Sequence, residues 1–152
     1  MNSGKYVCTV ILIGLIISCA PKQNGSVLPI SSKEILKTTT SWDGDPIKYP
    51  EGEPEITGLI IEAQEDVEIG FHCHPVPNIA YMLEGEIEVE LFDGQKHIFK
   101  KGDAFEEVIN TWHKGKVLKG PAKILVYYVG EVDMPITIKP QTNDLLNEKC
   151  IE

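Results

Sequence analysis

Three of the four histidines in this chain fall in two places: His72 and His74 two residues apart, and His113 about forty residues later. A spacing of two puts both imidazoles of the pair on one face of a β-strand. Two imidazoles side by side can grip one metal ion, and a third from a facing strand completes a half-shell. The expected cofactor is therefore a divalent transition metal (Fe, Zn, Cu, Mn or Ni), because ligand type alone does not select among them. Glu106 and Glu107 precede His113 on the same segment. In a regular strand one of the two points inward, where its carboxylate would serve as a substitute ligand, a general base or site lining. Trp112 precedes His113 and is expected to pack on the opposite side, and His97 sits in a polar hairpin and is expected to be exposed.

The elements that must position these groups are short strands. Residues 57–63 and 67–74 read as strands, the second carrying the histidine pair. Residues 80–83 lead through Glu84-Gly85 into 86–91, where Ile87, Val89 and Leu91 alternate strictly with Glu86, Glu88 and Glu90. That pattern predicts an apolar face inside and three carboxylates facing water. Asp93-Gly94 is a hairpin turn, followed by strands at 96–99 and 104–109. Residues 123–129 form an apolar, central strand, 35–41 an edge strand and 135–139 a last short one. Residues 42–54 read as a long loop, whose Trp42 and Tyr49 either close one end of the domain as site lining or act as packing plugs. No sustained helical period and no internal repeat is visible between 35 and 139, so the fold class is all-β, one sandwich or barrel.

With the pair on a strand, the chain resembles a single-domain cupin, and in particular a lipid-anchored group of small bacterial cupins of unassigned function. The family's first motif runs Gly, five residues, His-x-His, three or four residues, Glu, six residues, Gly. Residues 66–85, DVEIGFHCHPVPNIAYMLEG, place His72, His74 and Gly85 in register, with Asp66 at the first Gly and Asn78 at the Glu. The second motif runs Gly, five residues, Pro-x-Gly, two residues, His, three residues, Asn. GDAFEEVINTWHKGKV places Gly102 and His113 in register, with Val108, Asn110 and Val117 at the Pro, Gly and Asn positions. Asn110 is a sensible substitute because Asn tolerates positive φ. The resemblance implies a cupin-type double-stranded β-helix (jelly-roll barrel) holding a metal through His72, His74 and His113, with Asn78 as a further candidate ligand. A three-histidine site without carboxylate occurs in thiol dioxygenase cupins.

The ends and the charge complete the reading. Lys5 followed by the apolar run 7–17 has the make-up of a secretory signal, too short for a spanning helix. Ile16-Ile17-Ser18-Cys19 resembles the lipobox of bacterial lipoproteins, implying cleavage before Cys19 and its lipidation. The expected organisation is a signal peptide at 1–18, a lipidated Cys19 and tether at 19–32, a barrel at 33–140 and a tail at 141–152. The expected location is the bacterial cell envelope, on the outer membrane facing the periplasm. Cys73 and Cys150 could pair in an oxidising compartment, although a buried small hydrophobe plus a tail thiol is the simpler expectation. The chain carries a formal net charge of −9. Its basic residues are all Lys, so bidentate phosphate recognition is missing and nucleic-acid binding is excluded. The expected partners are a small neutral or cationic molecule, the membrane through the lipid, and a second copy if the protein is a homodimer. The expected activity is that of a metal-dependent oxygenase or isomerase; the rival is a non-catalytic binding or sensing module.

Overall fold

The computed structural model describes residues 30–141 and 149–151; the signal segment, Cys19 and residues 142–148 lie outside the described residues. The chain divides into two compact units, 1–32 and 33–152, and among the described residues the second holds every strand. Among the described residues there is no helix. Six strands follow one another: β1 Pro54–Ala63, β2 Glu68–His72, β3 Asn78–Leu91, β4 Lys96–Lys100, β5 Ala104–Glu106 and β6 His113–Glu131. All pairings are antiparallel, in the order β1-β6-β3-β4, with β2 also on β6 and β5 also on β3.

The two long strands, β3 and β6, set the curvature. Their register shifts between Met82 and Ile87, where Gly85 takes φ 77°. A Cβ there would lie 2.6 Å from the Lys119 carbonyl and 2.7 Å from Ala122 Cα, so the two strands can approach only over glycine. Either side of this bend the alternation works as expected. Ile87, Val89 and Leu91 are buried. Glu86, Glu88 and Glu90 point outward but are half-buried, not fully exposed as expected. Neighbouring lysines lie across two of them: Lys96 is 2.9 Å from both Glu88 and Glu90, and Lys114 is 3.1 Å from Glu90. The core gathers Met82, Phe99, Phe105, Val117, Ile124 and Val126, with Phe99 and Phe105 stacked at 3.6 Å between centroids.

Several expected element boundaries move, and the strand expected at 104–109 ends at Glu106. Residues 35–41 form no strand, only the isolated bridge Thr40↔Pro46; Leu36 and Thr40 are half-buried and Ser41 buried, but no alternating face is buried that would fix a register. Residues 135–139 contribute a single bridge, Ile138↔Cys73. The strand at 123–129 begins much earlier, at His113, and runs through Gly115, Gly120 and Pro121. Gly120 packs so close to Glu65 that a Cβ would meet its nitrogen at 2.3 Å, so this glycine serves a close backbone approach inside a bent strand. The cysteines also depart from expectation, because Cys73 and Cys150 form a disulfide.

Two glycine substitutions separate steric from conformational cost. Gly85→Ala combines positive φ with backbone clashes, whereas Gly102 (φ 96°) has open space around its Cα. Gly102→Ala is expected to cost about 1–2 kcal/mol, the penalty of a left-handed L-residue. Gly85→Ala should cost several times more or prevent folding. Equal midpoints for the two variants in denaturant titration would contradict this packing of β3 on β6.

Candidate metal centre

β2 and β6 bring the histidines together. His72 and His113 are register partners across these strands, and His74 continues one turn of the alternation beyond the end of β2. Ring centroids lie 4.3 Å apart for His72 and His113, 5.0 Å for His72 and His74, and 5.1 Å for His74 and His113. One ring nitrogen from each falls within 4.8 Å of the others, close enough for a single ion to reach all three.

Each ring is fixed from behind in the same way. Nδ1 of His72 meets the Gly70 carbonyl at 2.8 Å, Nδ1 of His74 the Ile136 carbonyl at 2.7 Å, and Nδ1 of His113 the Thr111 carbonyl at 2.8 Å. A carbonyl only accepts, so each Nδ1 carries the proton and donates it. Each Nε2 is left with a free lone pair, the tautomer a metal-binding imidazole needs.

The carboxylate is Glu107. Its oxygens lie 3.5 Å from His74 Nε2 and 3.4 Å from His113 Nε2, contacts too long for strong hydrogen bonds. His113 Nε2 is buried and has no hydrogen-bond partner. A buried, unpaired nitrogen beside a carboxylate and two further imidazoles suits a first-row divalent cation, so the residues fit the metal the resemblance implies.

The electrostatics are mutual. Burial, reinforced by His113, lowers His72 to about 4, and burial also lowers His74 despite Glu107. Burial pushes His113 down most, but Glu107, the Thr111 carbonyl and Asp43 together outweigh it and the group is raised. Burial alone would raise Glu107; the three imidazoles, His113 foremost, hold it instead at about 2.

The other sequence candidates go elsewhere. Glu106 turns away from the histidines, is buried, and accepts the Asn78 N–H at 2.9 Å; burial raises it to about 7. Asn78, expected as a ligand, does not line the cavity beside the histidines. It is fully buried, and its main chain is pinned by Glu106 and by the Glu107 N–H, which donates to its carbonyl at 3.1 Å. Its contribution is thus to hold the backbone of Glu107. Trp42 packs on His97 and Phe99 and does not line the cavity, and Tyr49 is 65% exposed. Trp112 is buried and His97 exposed, as expected.

Two participants were missed. Tyr128 lies 5.2 Å from His74 between ring centroids, and its hydroxyl, bonded to Thr137, is kept neutral by burial and by Glu107. Thr137 Oγ1 is also 3.2 Å from His74 Nδ1. The available signal for Tyr128 was its parity with Ile124 and Val126 along an apolar strand. The three histidines, Glu107 and Tyr128 line one cavity of about 680 Å³, otherwise walled by Leu59, Ile61, Ile87, Val89, Phe105 and Val126 among others.

A cupin domain model matches residues 59–128, the stretch that holds all three histidines, Glu107 and Tyr128. Over that stretch the chain is similar to a cupin domain. Solved structures are similar to part of this chain. Those described as the DMSP lyases RdDddP and RnDddQII superpose with a TM-score of 0.50 at 16% identity, over 57% of this chain and 44% of the other. The DMSP lyase DddQ from Ruegeria pomeroyi gives 0.49 at 19% identity, over 58% and 43%. Oxalate decarboxylase from Bacillus subtilis gives 0.48 at 21%, over 60% and 25%. This chain therefore spans less than half the length of each of these structures. No curated protein matches the sequence.

The charge distribution makes a pH prediction for the metal-free protein. His72 stays neutral down to pH about 4, whereas the unfolded chain takes up its proton near the ordinary imidazole value of 6.5. Protons therefore bind the unfolded state preferentially between these values, and through this group acidification across that window costs stability. The ring-proton NMR shift of His72 should titrate well below that of His113. The reverse order would show that the burial and the Glu107 contact are wrongly assigned.

Proposed function

We propose that this protein is a lipid-anchored cell-envelope cupin that holds one divalent transition metal through His72, His74, His113 and Glu107. It acts on a small molecule in the adjoining cavity, as an oxygenase or isomerase. The observation that carries the reading is the set of three Nδ1-to-carbonyl bonds, which commits every Nε2 to one centre. Bound there, the metal would supply Lewis acidity at its open coordination positions.

The chain's own groups define what enters. The cavity is of ligand size, and most of its wall is apolar, with the histidines, Glu107 and Tyr128 among its polar groups. A molecule with an apolar body and a polar head suits this division, since the body is desolvated by the wall and the head meets Glu107 and Tyr128. Glu107 is ionised and within reach of that head, so it can take a proton from it; Tyr128 is neutral and can donate a hydrogen bond. The rival reading, a non-catalytic binding module, draws on the same apolar wall and differs in needing no metal.

The lipid anchor rests on the signal run and the Ser18-Cys19 junction. The Cys73–Cys150 disulfide supports an oxidising compartment. Cys19→Ala should release the protein from the membrane fraction or stall its maturation, and unchanged processing and fractionation would refute the anchor.

Calorimetric titration with Zn²⁺ tests the site. Wild type should bind one ion tightly, and His113→Ala should lose most of that affinity. Glu107→Gln should also weaken binding strongly, because an amide oxygen is a poorer ligand than a carboxylate for these ions. Asn78→Ala should do less if the fold holds. Absence of tight binding of any first-row divalent ion, with retention of apolar ligands by metal-free protein, would favour the binding module.

A further inference from the structure

We propose that the C-terminal residues 149–151 form a clamp that positions the histidines, so that the metal affinity of the site depends on the thiol–disulfide state of Cys73 and Cys150. The inference rests on the metal reading above and concerns groups that do not touch the ion.

Cys73 stands between His72 and His74 and is buried; its disulfide partner Cys150 lies 77 residues away in the tail. The same tail grips the segment leading to His113. Asn110 Oδ1 accepts the Cys150 N–H at 3.2 Å and the Ile151 N–H at 2.7 Å, and Asn110 Nδ2 donates to the Ile151 carbonyl at 2.8 Å. The Asn110 carbonyl accepts from Cys150 N at 3.3 Å. Lys149 bridges to Thr111 in the backbone and donates from Nζ to its hydroxyl at 2.8 Å. Thr111 in turn supplies the carbonyl that orients His113, and Asn110 N donates to the His74 carbonyl at 2.7 Å. One short segment thus joins the two stretches of chain that bear the ligands, covalently at one and through a fan of hydrogen bonds at the other.

This explains why Asn stands at position 110. The backbone there has φ 54°, a conformation that glycine would adopt at less cost. Glycine would supply the turn but no amide, and the amide is what holds the tail. The clamp adds no residue to the buried apolar core, so the barrel does not depend on it for packing. Opening it requires a dithiol or phosphine reductant. Two electrons and two protons convert the disulfide to two thiols, and the reductant is oxidised in turn. The tail is then free to leave Asn110, and both ligand segments lose a constraint on geometry that metal binding needs.

The test is Co²⁺ binding, read from visible absorption, which reports ligand geometry as well as affinity. Oxidised wild type, wild type reduced with a phosphine, Cys150→Ser and Asn110→Gly are compared, with far-UV circular dichroism to confirm the barrel. The expected result is a loss of about 10-fold or more in Co²⁺ affinity and an altered spectrum in all three perturbed forms, with strand content kept. Asn110→Gly retains the backbone conformation and the cysteines, so it isolates the amide if Cys150→Ser does not fold. Identical affinity and spectrum in all forms would overturn the clamp and leave the metal site standing. Failure of oxidised wild type to take up Co²⁺ would overturn the metal reading and the clamp with it.

Discussion

Each of the three histidines donates Nδ1–H to a main-chain carbonyl, and the rest of the site follows from that interaction. The bonds fix the tautomer, the ring plane and the direction of Nε2 together. They come from three separate stretches: Gly70 in β2, Thr111 just before β6, and Ile136 in the segment after it. Convergence is therefore a property of the closed barrel, and pairing of His72 with His113 across β2 and β6 is what brings two of those stretches into one place.

Glu107 shows the cost of this arrangement. A carboxylate facing three imidazoles in a largely buried position loses hydration that their charge or a cation must replace. In the metal-free protein Glu107 in turn raises His113 above its ordinary value, whereas burial lowers His72. The apolar wall around the cluster lowers the local dielectric and strengthens each of these interactions. The same features that make the site costly as an empty structure favour an occupied one.

Much of this was legible in residue types. The four glycine positions of the two cupin motifs hold Asp66, Gly85, Gly102 and Asn110, and all four have positive φ, at 63°, 77°, 96° and 54°. The motif encodes a backbone shape, and Asp and Asn are the residues that reproduce it at least cost. The histidine pair and the alternation of 86–91 were equally clear, since a period of two specifies a face. The carboxylate was not resolved. Glu106 and Glu107 are adjacent, and which one points inward depends on where β5 ends, a boundary that tertiary contacts decide. Asn78 occupied the expected ligand slot by count, but its main-chain bonds to the Glu106 carboxylate and the Glu107 N–H give it a supporting place instead. Trp42 and Tyr49 could not be placed because a loop has no period. The disulfide and the contacts of Ile136 and Thr137 with His74 join residues more than sixty apart, and no local pattern announces them.

The central claim is that three imidazole nitrogens and a carboxylate converge on one ion, and X-ray absorption spectroscopy of the Zn²⁺-loaded protein measures this directly. The account predicts a shell with three imidazole nitrogens at about 2.0–2.1 Å, shown by outer-shell ring scattering, and at least one oxygen near the same distance. A shell of oxygens alone, or one with fewer than three imidazoles, would contradict it.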